Sequence, residues 1–457
     1  MRRTNVIDFA AFYVILFIVI AVSNASADNF EFLPAVHVNA YTSQFGSGAA
    51  DFDNDGDVDL VVTNYISGGD IVVFRNNGSG EFESPAQYFS GEYPLCIMTG
   101  NVDSDNDIDI VAVNAHSANI KVFKNNGDGT FVSTGTYSTG SVPIGGDIGD
   151  IDNDGDLDIV VGNAVSNNIS VLKNSGTGAF TIRNNYASGN QPYSATFVDI
   201  DNDGDIDIAN PNFYSDDVAV FINNGAGAFG APAYYPTTDE AWMVAGDDFD
   251  EDGDNDLIVV NAMHDDFSFL ENNGDGIFQS AVNYNCPNGP VSVKSADLDG
   301  DGILDIAIGN YHSGNVGVFK GNGDGTFEAG EYFPAGSGCR TITLADFNGD
   351  GLIDIAVPNE GSEYTSILFN ATSCQLLPGD ANSDDIFNSL DVEYGINYLK
   401  RIGPPPLDIC HCGTWGFIYS SADANGDCRF NGIDIVYEVN YLKGLGSAPR
   451  RCGDCPE

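Results

Sequence analysis

An acidic nonapeptide returns seven times along this 457-residue chain at nearly constant spacing. The copies begin at Asp51, Asn101, Asp150, Asp199, Asp248, Asp297 and Asp346, one step of 50 residues and five of 49. The first reads Asp51-Phe52-Asp53-Asn54-Asp55-Gly56-Asp57-Val58-Asp59 and runs into the apolar Leu60-Val61-Val62. A repeat of this length cannot bury an apolar face by itself, so the units must stack on one another, in a propeller or a solenoid.

The third unit shows what each repeat contains. A strand precedes Asp150, a second runs from Ile159-Val160-Val161 to Asn163, a third covers Ile169-Ser170-Val171-Leu172, and a fourth opens at Phe180 and closes near Tyr186. Short apolar or alternating runs punctuated by Asn-Gly and Gly-x-Gly turns predict antiparallel hairpins, and four strands per unit predict a propeller blade. The seventh unit stops after its third strand, at Ile367-Leu368-Phe369, whereas the segment Phe30-Glu31-Phe32-Leu33-Pro34-Ala35-Val36 ahead of the first unit has the form of a fourth strand. Pairing the two closes the ring and leaves no open sheet edge. The expected fold is an all-β, seven-bladed propeller of four-stranded antiparallel blades, closed by the N-terminal strand and spanning residues 28–372.

The sequence has a net charge of −51, a balance that repels nucleic acid and anionic lipid. Positions 1, 3, 5 and 9 of the seven loops hold 26 Asp and two Asn. Clustered anions repel unless a cation screens them, and hard oxygens converging on a tight turn suit Ca²⁺, which takes six to eight oxygen ligands, better than Mg²⁺.

These units resemble FG-GAP/VCBS repeats, the blades of integrin-α-like propellers, through the pattern Asp-x-Asp-x-Asp-Gly-x-x-Asp. The resemblance implies calcium ligands at Asp51, Asp53, Asp55 and Asp59; Asn101, Asp103, Asp105 and Asp109; Asp150, Asp152, Asp154 and Asp158; Asp199, Asp201, Asp203 and Asp207; Asp248, Asp250, Asp252 and Asp256; Asp297, Asp299, Asp301 and Asp305; and Asp346, Asn348, Asp350 and Asp354. Asn101 and Asn348 replace Asp, and Asn106 replaces the usual Gly, so weaker binding is expected in the second and seventh loops. In that family ligands meet the face opposite the calcium loops. Here the loops after Asn64, Asn114, Asn163, Asn212, Asn261, Asn310 and Asn359 carry Tyr65, His116, Phe213, Tyr214, His264, Tyr311 and His312, and the inter-blade connections carry Tyr93, Tyr193 and Trp242. Tyr193, Trp242 and Tyr311 are the expected ligand-binding residues. Aromatic faces beside Asp216, Asp217, Asp265 and Asp266 suit sugar rings, the carboxylates accepting from hydroxyls; the alternative is that the aromatics cap the central channel.

The chain ends in two related segments, residues 380–400 and 423–443. Each opens with a twelve-residue loop with oxygens at positions 1, 3, 5, 9 and 12, followed by a helix-like stretch ending Asn-Tyr-Leu-Lys, which matches the EF-hand calcium pattern. The pair resembles a type I dockerin over residues 373–457, which implies calcium ligands at Asp380, Asn382, Asp384, Asn388 and Asp391, then Asp423, Asn425, Asp427, Asn431 and Asp434, a small α-helical module and a cohesin-like scaffold partner. Asp385 and Cys428 stand where the loop prefers Gly, and the linker between the two loops is long and contains Trp415. A stabilising cap or a surface-sorting tag is the alternative role.

Arg2 and Arg3, the apolar stretch 9–22 and Ala25-Ser26-Ala27 have the form of a secretory signal peptide over residues 1–27, an uncleaved anchor being the alternative; no membrane span is expected after cleavage. The expected location is extracellular or on a bacterial cell surface. Of nine cysteines, Cys374, Cys410, Cys412, Cys428, Cys452 and Cys455 crowd the last 84 residues, as disulfides or, for Cys410-His411-Cys412 with Cys452 and Cys455, a zinc site. Cys96, Cys286 and Cys339 lie at different repeat positions and look incidental. No nucleophile elbow, zinc-protease spacing or phosphate loop is present. The sequence therefore reads as a secreted, calcium-binding adhesion or binding protein, whose propeller grips a glycan or cell-surface protein and whose tail docks a partner. The alternatives are a polysaccharide-degrading enzyme, or its carbohydrate-binding component, and a spacer in a surface assembly.

Overall fold

The computed structural model describes residues 30–371 apart from Thr42 and Thr181, and the short strand pair Cys410–His411 and Phe417–Ile418. The expected signal segment lies outside the described residues, as does the rest of the dockerin-like tail with all its expected calcium ligands. Residues 36–368 form seven four-stranded antiparallel sheets, each a simple meander except the last. Blade 1 consists of Gln44–Ala50, Asp59–Asn64, Gly69–Phe74 and Ala86–Gly91. Blades 2 to 6 repeat this order over residues 94–138, 143–187, 196–236, 241–285 and 290–334. Blade 7 takes Thr343–Ala345, Asp354–Pro358 and Tyr364–Leu368, and Val36–Asn39 pairs with Tyr364–Leu368 as its fourth strand.

The ring thus closes as the two chain ends of the array imply, with one shift of boundary. The closing strand is Val36–Asn39 rather than the segment from Phe30 to Val36, which contributes an isolated bridge between Phe32 and Asn370. Pro34 has no N–H to give the ladder and breaks regular pairing between the two contacts.

Each second strand is buried along its whole length in every blade, because each blade is sandwiched between two neighbours. That burial explains why these segments read as unbroken apolar runs rather than alternating ones. Seven apolar clusters result, one in each interface; across the closure, Leu60 and Phe74 of blade 1 pack on Phe347, Ala356 and Ile367 of blade 7.

A polar staple accompanies this packing. The Asp at loop position 9 is buried in every blade, and its Oδ1 accepts the N–H of the residue that ends the third-strand segment: Asn76, Asn125, Asn174, Asn223, Asn272, Gly321 or Asn370, at 2.6–3.0 Å. Where that residue is Asn, its side-chain amide donates to the position-2 carbonyl of the preceding blade at 2.6 or 2.7 Å. Six of the seven interfaces carry this bond. Between blades 5 and 6 Gly321 replaces Asn, and the chain there lies so close to blade 6's own loop that a Cβ would sit 2.1 Å from the Leu304 carbonyl oxygen. A second bridge joins the end of a fourth strand to the next blade: Ser90, Ser188 and Cys286 donate to Asn114, Asn212 and Asn310. Cys286 is therefore not incidental: its thiol takes the place of a hydroxyl. Cys96, Cys286 and Cys339 are all unpaired.

Replacing Asn223 by Ala removes the amide shared by the Ile151 and Ile206 carbonyls and takes the donor from one buried and one half-buried acceptor. The expected loss is roughly 2–3 kcal/mol in urea unfolding. A loss below about 0.5 kcal/mol, the range of ordinary surface changes, would show that the staple does not hold the blades.

Candidate functional site

The acidic loops connect first to second strands, so the antiparallel meander puts all seven on one face together with the third-to-fourth turns. Each loop is wound around its own carboxylates. In blade 1, Asp51 accepts from the backbone N–H of Asp55 at 3.2 Å and of Gly56 at 3.0 Å, while Asp55 accepts from Asp57 N–H at 3.0 Å. Position 6 has a left-handed backbone, at φ 97° for Gly56; in blade 2 Asn106 bears it at 77°, a conformation that costs an L side chain more than glycine.

Carboxylate oxygens from three acids come within 4.8 Å of one another in five loops: Asp51, Asp53 and Asp59; Asp150, Asp152 and Asp154; Asp199, Asp201 and Asp203; Asp248, Asp250 and Asp252; and Asp297, Asp299 and Asp305. Loops 2 and 7, where Asn replaces one Asp, gather no such trio among the described residues. Several loop oxygens are shielded from solvent without a hydrogen-bond partner: Asp53, Asp152, Asp199, Asp201 and Asp248 Oδ1 in the loops with a trio, and Asp103 Oδ1 in loop 2. Buried anionic oxygens without donors are costly, and a hard cation at the centre of such a loop would satisfy them. The donor set fits calcium: all oxygen, several carboxylates, arranged on a flexible turn.

Position 9 differs from its neighbours. Burial raises its carboxyl to about 6 in Asp59, Asp109 and Asp207 and to about 7 in Asp158, Asp256, Asp305 and Asp354, only partly offset by backbone N–H donors. The sequence motif marks this Asp as a metal ligand; the structure also makes it the acceptor that fixes its own loop and the neighbouring third-strand end.

The opposite face carries the second-to-third loops and the inter-blade connections. In blades 2 to 6 the buried Asn at the head of the loop clamps it by donating to the side chain five residues on: Asn114, Asn163 and Asn310 at 3.0 Å, Asn212 at 2.8 Å and Asn261 at 2.9 Å. Beyond that clamp Ile66, Val165, Tyr214 and Met263 stand exposed around the rim. Further in, Tyr193 lies 4.7 Å from Trp242 and 4.4 Å from Phe213, ring centroid to centroid, while Phe45, Tyr65, Tyr93 and His116 form a second chain of contacts across blades 1 and 2. Arg340 joins the two groups. Its guanidinium lies 4.1 Å from the Tyr311 ring, 4.3 Å from Phe45 and 5.8 Å from Trp242, and it is ion-paired with Glu360.

The three aromatics singled out in the sequence are therefore linked in one cluster, at the mouth of a central channel of about 430 Å³ lined by first strands. Burial raises the Tyr193 hydroxyl to about 12, so it stays protonated and available as a donor. The carboxylates expected to receive sugar hydroxyls are otherwise engaged. Asp216 accepts from Glu240 N–H, Asp217 from Asn212, Asp265 from Gly289 N–H and Asp266 from Asn261, so one oxygen of each holds the loops in shape. Arg340, Phe45 and Glu360 escaped sequence reading although Phe45 and Arg340 stand at the repeat position of Tyr193 and Trp242 and Glu360 at that of Tyr311, because the residue type at both positions changes from blade to blade.

Comparison with known proteins agrees with this architecture. The profile of the FG-GAP-like repeat family matches residues 51–97, 101–161, 150–210, 248–308 and 297–357. No curated protein matches the sequence. Among solved structures, the fold is similar to BBS1N in its complex with ARL6DN, in a mercury-soaked crystal, at 12% identity and TM-score 0.53 over 75% of this chain and 98% of that one. A lead-soaked crystal of the same complex gives TM-score 0.54 at the same identity and coverage. An Agrocybe aegerita lectin whose structure concerns recognition of non-reducing terminal N-acetylglucosamine aligns at 20% identity and TM-score 0.47, over 70% of this chain and 86% of the lectin.

The raised position-9 carboxyls set a pH dependence for the metal-free ring. Their folded values, about 6 to about 7, lie above the ordinary 3.8, so the folded state binds more protons between those limits and its stability falls as pH rises through them. In chelator, the urea midpoint is expected to rise as pH is lowered from about 7 to about 5, and saturating calcium, which favours the charged forms, is expected to abolish the rise. A chelated midpoint that drops on acidification would contradict this.

Proposed function

The chain belongs to the FG-GAP-like repeat family, and from that premise we propose that it is a calcium-stabilised binding or adhesion protein whose ligand, a glycan, seats on the face opposite the acidic loops. The observation that carries this reading is the joined aromatic cluster around Arg340. Tyr193, Phe213 and Trp242 on one side and Phe45 and Tyr311 on the other offer ring faces to the C–H faces of a sugar, and the Arg340–Glu360 pair offers a fixed donor and acceptor for its hydroxyls. The cluster sits at the channel mouth on rigid strand ends, so little ordering cost opposes binding. A cell-surface protein that presents such a glycan fits the same face.

Calcium on the other face is part of the proposal, held by the loop carboxylates at positions 1, 3, 5 and 9. It neutralises charge that the ring's own Lys and Arg side chains offset only in part. The remaining parts rest on sequence alone: export directed by residues 1–27, and docking of residues 373–457 to a cohesin-like or cell-surface partner in a second calcium-dependent module.

Capture of the intact protein by a panel of immobilised polysaccharides tests the central part. Trp242→Ala is expected to lower capture of the best polysaccharide at least tenfold, the usual effect of removing a central aromatic contact, with the calcium-dependent melting of the ring retained. Undiminished capture by both Trp242→Ala and Tyr193→Ala would remove the glycan reading, and release of reducing ends or unsaturated sugars would replace binding with catalysis.

A further inference from the structure

Four of the seven acidic loops carry a cation supplied by the chain itself. At one register position, the residue before the staple Asn or Gly, the blades read Arg75, Lys124, Lys173, Ile222, Glu271, Lys320 and Phe369. Each basic side chain reaches the position-3 carboxylate of its own blade's loop. Lys124 Nζ lies 2.6 Å from Asp103 Oδ2, Arg75 lies 3.9 Å from Asp53 Oδ2, and Lys173 contacts Asp152. Lys320 contacts Asp299 and lies 2.9 Å from Asp301 Oδ2. The lysines of blades 2 and 3 are also anchored across the interface, Lys124 donating to the Thr177 carbonyl at 2.7 Å and Lys173 to the Ala226 carbonyl at 3.0 Å. An ammonium held at both ends does not leave freely.

We infer that this register position divides the loops into two classes: those of blades 1, 2, 3 and 6 are part-neutralised by their own side chain and take calcium weakly, whereas those of blades 4 and 5 hold no internal cation and are the tight calcium sites. The inference rests on the calcium reading proposed above and deepens it. In blade 4, Asp199 Oδ1 and Asp201 Oδ1 are both shielded from solvent with no hydrogen-bond partner, and Ile222 offers nothing in place of the ammonium. In blade 5, Asp248 Oδ1 is in the same condition, and Glu271 at the register position and Glu251 at loop position 4 add negative charge. The loops of blades 1, 2 and 3 also have an unpartnered oxygen on Asp53, Asp103 and Asp152, but the other oxygen of each faces a cation of the chain. A divalent ion entering there meets a like charge within contact distance and must expel it or share its carboxylate. Blade 7 stands between the classes: Phe369 supplies no cation, but Asn348 lowers the charge of the loop, and its amide donates to Asp350 at 3.0 Å.

Hydrogen–deuterium exchange of the full chain, stripped with chelator and titrated with calcium chloride, resolves the loops individually and is indifferent to ions bound by residues 373–457. Protection of loops 199–207 and 248–256 is expected to return at the lowest calcium concentrations, and that of loops 101–109, 150–158 and 297–305 only at concentrations at least tenfold higher. Two substitutions on the intact protein move single loops between classes. Ile222→Lys is expected to raise the calcium concentration needed by loop 199–207 at least tenfold, and Lys173→Met to lower that needed by loop 150–158 by a similar factor. Return of all loops at one concentration, or earlier return of the lysine-bearing ones, would overturn the division. Absence of any calcium response in all seven loops would instead overturn the calcium reading on which it rests.

Discussion

The bond between the buried Asp at loop position 9 and the end of the third-strand segment is what the rest of this ring depends on. It pins the acidic loop to its own blade, and the Asn side chain at that position then ties the blade to the one before it. Apolar packing between blades is strong but non-directional; it would tolerate sliding of one sheet over the next. A short amide-to-carbonyl bond repeated in six interfaces supplies the direction that apolar packing lacks and fixes how each blade sits on the one before it. The interface without it is the one where Gly321 replaces Asn; there the backbone N–H of Gly325 reaches the Phe249 carbonyl at 3.3 Å, a bond that Gly129 N–H also makes to the Phe52 carbonyl at 3.0 Å beside the staple of the blade 1–2 interface.

The arrangement separates two tasks between two faces. The loop face concentrates negative charge, and its carboxylates point into their own turns and, in four blades, toward an internal Lys or Arg. The opposite face has few free carboxylates at its centre, because Asp216, Asp217, Asp265 and Asp266 are drawn into holding loop shape. That leaves aromatic rings and one arginine as the accessible chemistry around the channel mouth. A rigid ring with a varied, aromatic-rich loop face is a scaffold for recognition, because the loops change without disturbing the strands that carry them.

Much of this was legible in the sequence because repetition amplifies weak signals. A single four-strand pattern is ambiguous, but seven in register are not, and the truncated last unit foretold the closure. What the sequence did not disclose has a common cause: it concerns groups whose partners are distant along the chain. Asp59 reads as a metal ligand, yet its second role depends on Asn76, 17 residues on, and the Asn76 amide finds its carbonyl 271 residues away, on Phe347. Asn-Gly at that point reads only as a hairpin turn. Arg340 stands at the repeat position of Phe45, Tyr193 and Trp242 but is the one charged residue there, so periodicity does not explain it, and its importance appears only once blades 1, 5, 6 and 7 meet. The cations at the register of Lys124 and Lys173 were visible as a 49-residue recurrence, but nothing local says that they reach a carboxylate of the loop.

Mapping where a captured polysaccharide rests tests the division of faces most directly. Hydrogen–deuterium exchange of the calcium-loaded protein, with and without the polysaccharide it retains, is predicted to show new protection in segments 65–68, 190–193, 213–216, 239–242 and 338–341. Loops 51–58, 150–157 and 248–255 are predicted to exchange unchanged. Protection confined to the acidic loops, with the aromatic face unaffected, would contradict the account.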